Sequence, residues 1–286
     1  AARAAQGSVV MRVEDIDRER VRPEIERAQL DDLRWLGLDW DEGPDVGGAH
    51  GPYRQSERLD LYRDALDQLK AKNLVFPCIC SRKEIAASAP HKGEEARYPG
   101  TCRDRFTSEE EAAASDKEVA WRIRVEPGQM TLNDQVVGLY ETDTNALVGD
   151  VLVYRKNAWP SYQLAVVIDD AAMSISQVIR GDDLLSNTAR QVLIYNALSL
   201  QAPNEWAHLP LVLDEQGRRM AKRHDSCSLS SLREQNIPPE RVIGYLAHSI
   251  GLLDMPKAVS ATELIESFSW DKLIRLPVIL SGDLLP

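Results

Sequence analysis

An α/β fold organised around an open sheet is what this sequence predicts, and two neighbouring stretches carry that expectation. The run from Trp159 to Asp170 is apolar until it closes on Asp169 and Asp170, and it reads as a buried strand whose polar end opens into a loop. Residues 175–179 repeat the pattern and end at Arg180, Gly181, Asp182 and Asp183, where Gly181 suits a sharp turn. Ser186 and Asn187 then stand as caps for a helix carrying Ala189, Val192, Leu193 and Ala197. Two buried strands that spill acids and an arginine at one edge are what an open α/β sheet presents to a ligand. The plainer alternative is a pair of core strands with solvated ends.

Taken in order, residues 1–5 (Ala-Ala-Arg-Ala-Ala) read as the last turn of a helix closed by Gly7, so further residues are expected upstream. A strand is expected over residues 8–13. Glu14, Asp15 and Asp17 follow it, interleaved with Arg12, Arg18, Arg20 and Arg22, a mixture whose usual fate is a salt-bridged surface turn. Pro23 opens a helix with Ile25, Ala28, Leu33 and Leu36 on one face, stopped by Gly37. Residues 46–51 form a Gly-rich loop without a phosphate-loop pattern. Over 57–72, Leu59, Tyr62, Leu66 and Leu69 recur at helical spacing as core packing.

Composition narrows the class. A chain of 286 residues can bury an ample core in one large domain or two smaller ones. Hydrophobic content of 43% and charged content of 28% are ordinary for a soluble protein. No segment approaches the roughly 18 consecutive apolar residues of a membrane span, so no membrane partner and a cytoplasmic setting are expected. A net charge of −11 argues against a general polyanion binder but leaves room for a local basic face.

The cysteines carry the most chemistry. Of four, three fall within 25 residues: Cys78 and Cys80 are one residue apart, and Cys102 lies four beyond Tyr98. That grouping points to a metal site rather than a disulfide framework. Three thiolates make a soft, nearly complete tetrahedral zinc shell, with His91 and Tyr98 as candidates for the fourth ligand. Cys227 stands apart as a free thiol.

Residues 103–150 read as an insertion outside the main sheet. Thr107 or Ser108 starts a short helix, and strands are expected over 119–125 and 135–140, punctuated by Pro127-Gly128. The chain is expected to return to the main sheet over 148–155. Further on, a strand ends at Asp214, Gly217 turns, and a basic run follows with Arg218, Arg219, Lys222, Arg223 and His224. Such a run is most often a solvated face. The tail is expected to be helical. Pro238-Pro239 opens a helix with Val242, Tyr245, Leu246 and Ile250, stopped by Gly251. A second helix is expected from Thr262, and Trp270, Leu273 and Leu276 pack a last segment.

Several of these phrases resemble the glutamyl-tRNA synthetase family of class I aminoacyl-tRNA synthetases, over most of the chain. They are the run from Met11 to Arg20, the phrase from Leu33 to Pro44 followed by Tyr53-Arg54-Gln55-Ser56, the stretch from Trp159 to Asp183, and the Cys-x-Cys…Tyr-x-x-x-Cys pattern. The match is close to the family's short bacterial glutamyl-Q branch. The resemblance implies a class I synthetase Rossmann-like nucleotide-binding fold with a zinc-bearing insertion and a small C-terminal helical domain. The implied division is 1–75 for the first half of the catalytic domain, 76–147 for an acceptor-type insertion, 148–225 for the second half, and 226–286 for a helical stem-contact domain.

It also implies roles. Glu14 would face the substrate's amino group, a natural pairing of carboxylate and ammonium, while Tyr162 and Arg180 would line a glutamate pocket. Tyr98 becomes the favoured fourth zinc ligand. Arg219-Met220-Ala221-Lys222-Arg223 resembles the family's second signature, Lys-Met-Ser-Lys-Arg, with Lys222 and Arg219 on the ATP phosphates and Lys222 as the catalytic cation. Arginine for the first lysine preserves charge, and Ala221 removes a hydroxyl. The family's first signature, of His-x-Gly-His type, is expected upstream of Ala1.

The function so implied is activation of glutamate with ATP and magnesium, followed by transfer of the glutamyl group to the queuosine base in the anticodon of tRNA(Asp). A monomer is expected. About 60 residues follow the signature loop, too few for an anticodon-binding superdomain, which favours the glutamyl-Q branch. The rivals are a catalytic fragment of an ordinary glutamyl-tRNA synthetase, a non-catalytic zinc-dependent RNA-binding paralogue, and a redox protein using Cys78 and Cys80.

Overall fold

The computed structural model describes residues 1–17, 21–87, 97–144, 149–214, 216–217 and 228–279. At the start, the turn closes through the Gly7 amide on the Ala2 carbonyl and the Gln6 amide on that of Arg3. The left-handed residue is Gln6 (φ 57°), so Gly7 stands one position beyond the residue that reverses the chain. Residues 8–13 run extended but form only isolated bridges, Val10 with Glu42 and Val13 with Arg54.

Helix α1 (Pro23–Trp35) begins at its proline and ends before Gly37, whose φ of +74° a side chain would strain. Helix α2 (Leu59–Ala71) buries Tyr62, Ala65, Leu66 and Leu69 on one stripe, in line with their spacing. Strand β1 (Val75–Cys78), fully buried, pairs antiparallel with β2 (Ala120–Ile123), which in turn pairs antiparallel with β5 (Val151–Tyr154). Between β1 and β2 lie the short helices α3 (Arg82–Ala86) and α4 (Glu109–Ala113), capped by Ser81 and Ser108.

Two expectations fail in the middle of the chain. Of the strand predicted over 135–140, residues 135–137 are instead the turn of a hairpin between β3 (Gln129–Asp134) and β4 (Gly138–Asp143), and only 138–140 belong to a strand. That hairpin does not stand outside the larger sheet. β3 pairs parallel with β7 (Glu205–Leu209), and β7 pairs parallel with β6 (Gln177–Gly181), giving the order β4-β3-β7-β6. It is β5, expected in the main sheet, that belongs to the three-stranded one. Strand alternation reports which face is wet but is silent about a partner some 70 residues away.

The third correction concerns the stretch read as a buried strand ending at Asp170. It is helix α5 (Tyr162–Ala172), capped by the Ser161 hydroxyl accepting from the Leu164 amide at 3.3 Å. Leu164, Ala165, Val166, Val167, Asp169 and Asp170 are all buried, so the helix presents no continuous polar stripe and its period is invisible in the sequence. Helix α6 (Leu185–Leu198) follows β6 through a 3₁₀ turn. Its N-cap is Leu184, and the expected caps Ser186 and Asn187 lie inside its first turn. Together α2, α5 and α6 share one core with Trp121, Ile123, Val151 and Val153 of the three-stranded sheet.

Toward the end, α7 (Leu229–Glu234) and α8 (Pro239–Ser249) pack Leu229, Leu232, Val242 and Ile243 against Trp35 and Leu36 at the end of α1. Gly251 (φ +87°) follows α8 as expected. Residues 261–267 form turns rather than the predicted second helix, Trp270–Lys272 is a single 3₁₀ turn, and Leu276 is exposed. Strand β8 (Val212–Leu213) pairs parallel with β9 (Val278–Ile279). Among the described residues, no helix is long and apolar enough to cross a membrane.

Candidate functional site

Asp169 and Asp170, expected at the exposed edge of a strand, are instead the buried hinge pins of the site. Asp169 is fully buried, and its oxygens accept from Arg58 Nε at 2.6 Å, Gln55 Nε2 at 2.8 Å and the Tyr62 hydroxyl at 2.9 and 3.0 Å. Asp170 takes the guanidinium of Arg12 at 2.6 Å, with Tyr195 at 3.5 Å. Arg12 also reaches Glu14 at 3.1 Å and Asp169 at 3.6 Å. The extended N-terminal segment, α2, α5 and α6 are therefore tied together by one charged cluster.

The residues singled out for an amino-acid pocket come together on this frame. Tyr162 opens α5, Arg180 sits in β6 and Glu14 follows the extended segment. Tyr162 and Arg180 face one another closely enough to shift each other's ionisation, and Glu14 acts on both. Burial raises the pKa of the Tyr162 phenol and lowers that of the Arg180 guanidinium. Partial desolvation holds the Glu14 carboxyl, whose side chain is 40% exposed, above its ordinary value against the pull of Arg12, with Asp170 and Asp169 adding repulsion. Asp170 is raised in the same way. A cavity of about 640 Å³, lined by Arg12, Glu14, Asp15, Ile25, Leu30 and Leu229 among others, opens beside Glu14, and neither Tyr162 nor Arg180 lines it. A cation and a phenol on one side with a carboxylate nearby suit a small zwitterion carrying a second carboxylate.

Arg180 is itself held from behind. Its Nε donates to His208 Nε2 at 3.1 Å and its Nη2 to the Thr188 hydroxyl at 2.6 Å, while Trp206 lies under the guanidinium, 5.3 Å to the ring centroid. The sequence pointed to Asp170 only as an acid at a ligand-facing sheet edge, and it gave no site role to Arg12, Thr188 or His208. The charge order around Arg12 and the Asp169-Asp170 pair left a local trace, whereas Thr188 and His208 meet Arg180 through tertiary packing.

The metal-ligand candidates converge as well. The Sγ atoms of Cys78, Cys80 and Cys102 all lie within 4.8 Å of one another, and Cys80 and Cys102 are 3.6 Å apart. The Tyr98 hydroxyl stands 3.4 Å from Cys78 Sγ and 3.8 Å from Cys80 Sγ. In a zinc tetrahedron with Zn–S of about 2.3 Å and Zn–O of about 2.0 Å, the S···S and S···O edges are about 3.8 and 3.5 Å. The donor set therefore fits zinc in both chemistry and spacing. The phenol is locked there by the Cys102 amide, which donates to it at 2.8 Å, and by the Arg122 guanidinium stacked 4.0 Å from its ring centroid. Lys156, donating to the Ile79 carbonyl at 2.7 Å, ties the loop after β5 to the cysteine turn. His91, the other fourth-ligand candidate, Cys227 and the basic run with Arg219 and Lys222 lie outside the described residues.

Comparison with known proteins gives the family. The family model described as tRNA synthetases class I (E and Q), catalytic domain, matches residues 1–282. The chain is 46% identical to the glutamyl-Q tRNA(Asp) synthetase of Symbiobacterium thermophilum, covering 99% of this chain and 88% of the relative. It is 43% identical to that of Nitratidesulfovibrio vulgaris, covering 100% and 89%. Among solved structures, a glutamate tRNA ligase from Elizabethkingia meningosepticum in complex with its amino acid superposes with a TM-score of 0.83 at 28% identity. The match spans 99% of this chain and 62% of that one. The chain thus belongs to the class I tRNA synthetases (E and Q), shares the mixed α/β, Rossmann-like fold of their catalytic domain, and is an aminoacyl-tRNA synthetase-like ligase.

Proposed function

We propose that the protein activates glutamate with ATP and transfers the glutamyl group to the queuosine base of tRNA(Asp). The observation that carries the first half is the convergence of Glu14, Tyr162 and Arg180 on one charged frame. On this reading Arg180 and Tyr162 hold the γ-carboxylate and Glu14 the ammonium group, which leaves the α-carboxylate free to react. Its oxygen attacks the α-phosphorus of ATP and pyrophosphate departs. A hydroxyl of the acceptor then attacks the acyl carbon and AMP leaves. Catalysis rests on positioning and charge stabilisation, with no covalent enzyme intermediate. Lys222, with Arg219, neutralises the phosphates, and magnesium accompanies ATP. Zinc on Cys78, Cys80, Tyr98 and Cys102 supplies structural stiffening of residues 76–147, the acceptor-type insertion, while 226–286 contact the RNA stem.

The acceptor half rests on the relatives. Two proteins bearing the glutamyl-Q tRNA(Asp) name match this chain end to end at 43–46% identity. A cyclopentene diol offers a hydroxyl to the adenylate as a terminal ribose does, and unstacked anticodon bases are open to stacking and hydrogen bonding.

Glutamate-dependent ATP–pyrophosphate exchange tests the first half. Arg180→Ala leaves a buried carboxylate without its cation, a loss of about 2–5 kcal/mol, or at least roughly 30-fold in glutamate affinity. Labelled glutamate supplied with tRNA(Asp), with or without queuosine, tests the second half. Label in the anticodon fragment only when queuosine is present supports the proposal. Label on the 3′ end of tRNA(Glu) assigns the protein to ordinary charging.

A further inference from the structure

Behind Arg180 lies a buried relay that none of the steps above uses. Asp134 ends β3 and His208 sits opposite Arg180 in β7. Both side chains are at most 1% exposed. Asp134 Oδ1 accepts three backbone amides, Val136 at 3.0 Å, Val137 at 2.9 Å and His208 at 3.1 Å. Its Oδ2 meets His208 Nδ1 at 2.6 Å. Burial pushes this carboxyl up, but the His208 ring and the three amides outweigh it and hold its pKa below the ordinary aspartate value. Asp134 is therefore a carboxylate with acceptors only, so His208 Nδ1 must bring the proton. Nε2 is then left as an acceptor. It faces two donors, Arg180 Nε–H at 3.1 Å and the Thr188 hydroxyl at 3.0 Å, and the same hydroxyl accepts from Arg180 Nη2 at 2.6 Å.

We infer that Asp134, His208 and Thr188 form a positioning relay that aims Arg180 at its substrate, with Asp134 selecting the Nδ1–H tautomer of a neutral His208. The relay rests on the reading of Arg180 as a carboxylate ligand. None of its three members touches substrate. Their work is to occupy Nε and one edge of the guanidinium, so that the remaining N–H groups point toward Tyr162 in a single orientation. An arginine has long rotamer freedom, and its bidentate match to a carboxylate survives only if the fork is held. The hairpin joins the parallel strands for a functional reason on this view, since β3 delivers Asp134 to the back of His208.

The deciding substitution is Asp134→Asn. An asparagine keeps an oxygen for the backbone amides and turns its NH₂ toward His208 Nδ1, which must then accept. The proton moves to Nε2 and confronts Arg180 Nε–H, donor against donor. Three measurements on the intact protein read this. Nitrogen NMR of the imidazole, assigned by comparison with His208→Gln, should show Nδ1–H in the wild type and Nε2–H in Asp134→Asn. The glutamate KM in pyrophosphate exchange should rise, with kcat/KM for glutamate falling on the order of 100-fold as for misplacement by about an ångström, while the ATP KM stays put. His208→Gln, which keeps an acceptor oxygen near the Nε2 position, should retain most of the glutamate affinity.

A wild-type imidazolium or Nε2–H tautomer overturns the relay, as does an inverted tautomer in Asp134→Asn with unchanged glutamate KM. If Asp134→Asn does not fold, Thr188→Val decides: a raised glutamate KM supports the relay and an unchanged one refutes it. A wild-type protein with the Nδ1–H tautomer but no glutamate-dependent exchange instead overturns the glutamate reading of Arg180.

Discussion

Replacing Arg58 by methionine isolates the most deeply buried charge pair in the frame. The Arg58 side chain is 2% exposed and that of Asp169 is fully buried, and Nε donates to Oδ1 at 2.6 Å. Arg58 also donates to the Pro52 carbonyl at 2.9 Å. Methionine fills most of the volume but leaves the Asp169 carboxylate with neutral donors and the more distant Arg12. Breaking one side of a buried pair removes about 3–5 kcal/mol. At about 2–4 °C per kcal/mol for a chain of this size, the melting temperature should fall by about 6–20 °C. The double variant Arg58→Met/Asp169→Asn should recover part of that. Among the described residues Gln55 Oε1 is buried without a hydrogen-bond partner, so its amide can rotate to accept from the new Asn NH₂. Urea unfolding of wild type, both single variants and the double variant gives the coupling directly, expected at about 1–3 kcal/mol. A loss below about 1 kcal/mol in Arg58→Met, or a double variant no more stable than that single one, would refute the view that this pair clamps α2 to α5.

The remaining predictions use other parts of the molecule. Purified protein should carry about one zinc per chain, and Cys102→Ser should lower metal content and loosen the surrounding segment, as proteolysis would show; three freely titrating thiols without metal would defeat the assignment. Because partial desolvation holds the half-exposed Glu14 carboxyl above its ordinary pKa, its ionisation weakly opposes folding. That contribution is favourable below the unfolded value and is lost as pH rises through the folded one. Thermal unfolding of Glu14→Gln against wild type should therefore favour the variant more at pH 7 than at pH 4, while its glutamate binding falls. Ser161→Ala removes the cap of α5 and should cost about 1 kcal/mol by denaturant unfolding.

Local signals alone determined a good part of this chain. Pro23 and Gly37 bracket α1, the stripe from Leu59 to Leu69 belongs to α2, and Pro239 and Gly251 bracket α8, because caps, breakers and one-sided burial act within a turn or two of helix. The cysteine spacing and the order of charges after Val13 were also legible, since ligands and ion pairs demand particular residue types. Helix α5 was not legible. Its apolar residues face partners on more than one side, and its two acids are neutralised by Arg58 and Arg12 from distant segments, so nothing in the run itself distinguishes helix from buried strand. The hairpin's place beside β7 likewise came only from tertiary structure. So did the meeting of Asp134, His208 and Arg180, residues separated by 74 and 28 positions that share neither a helical turn nor a hairpin. Contacts across such distances are set by which faces the core must close, a decision of the whole chain rather than of any segment.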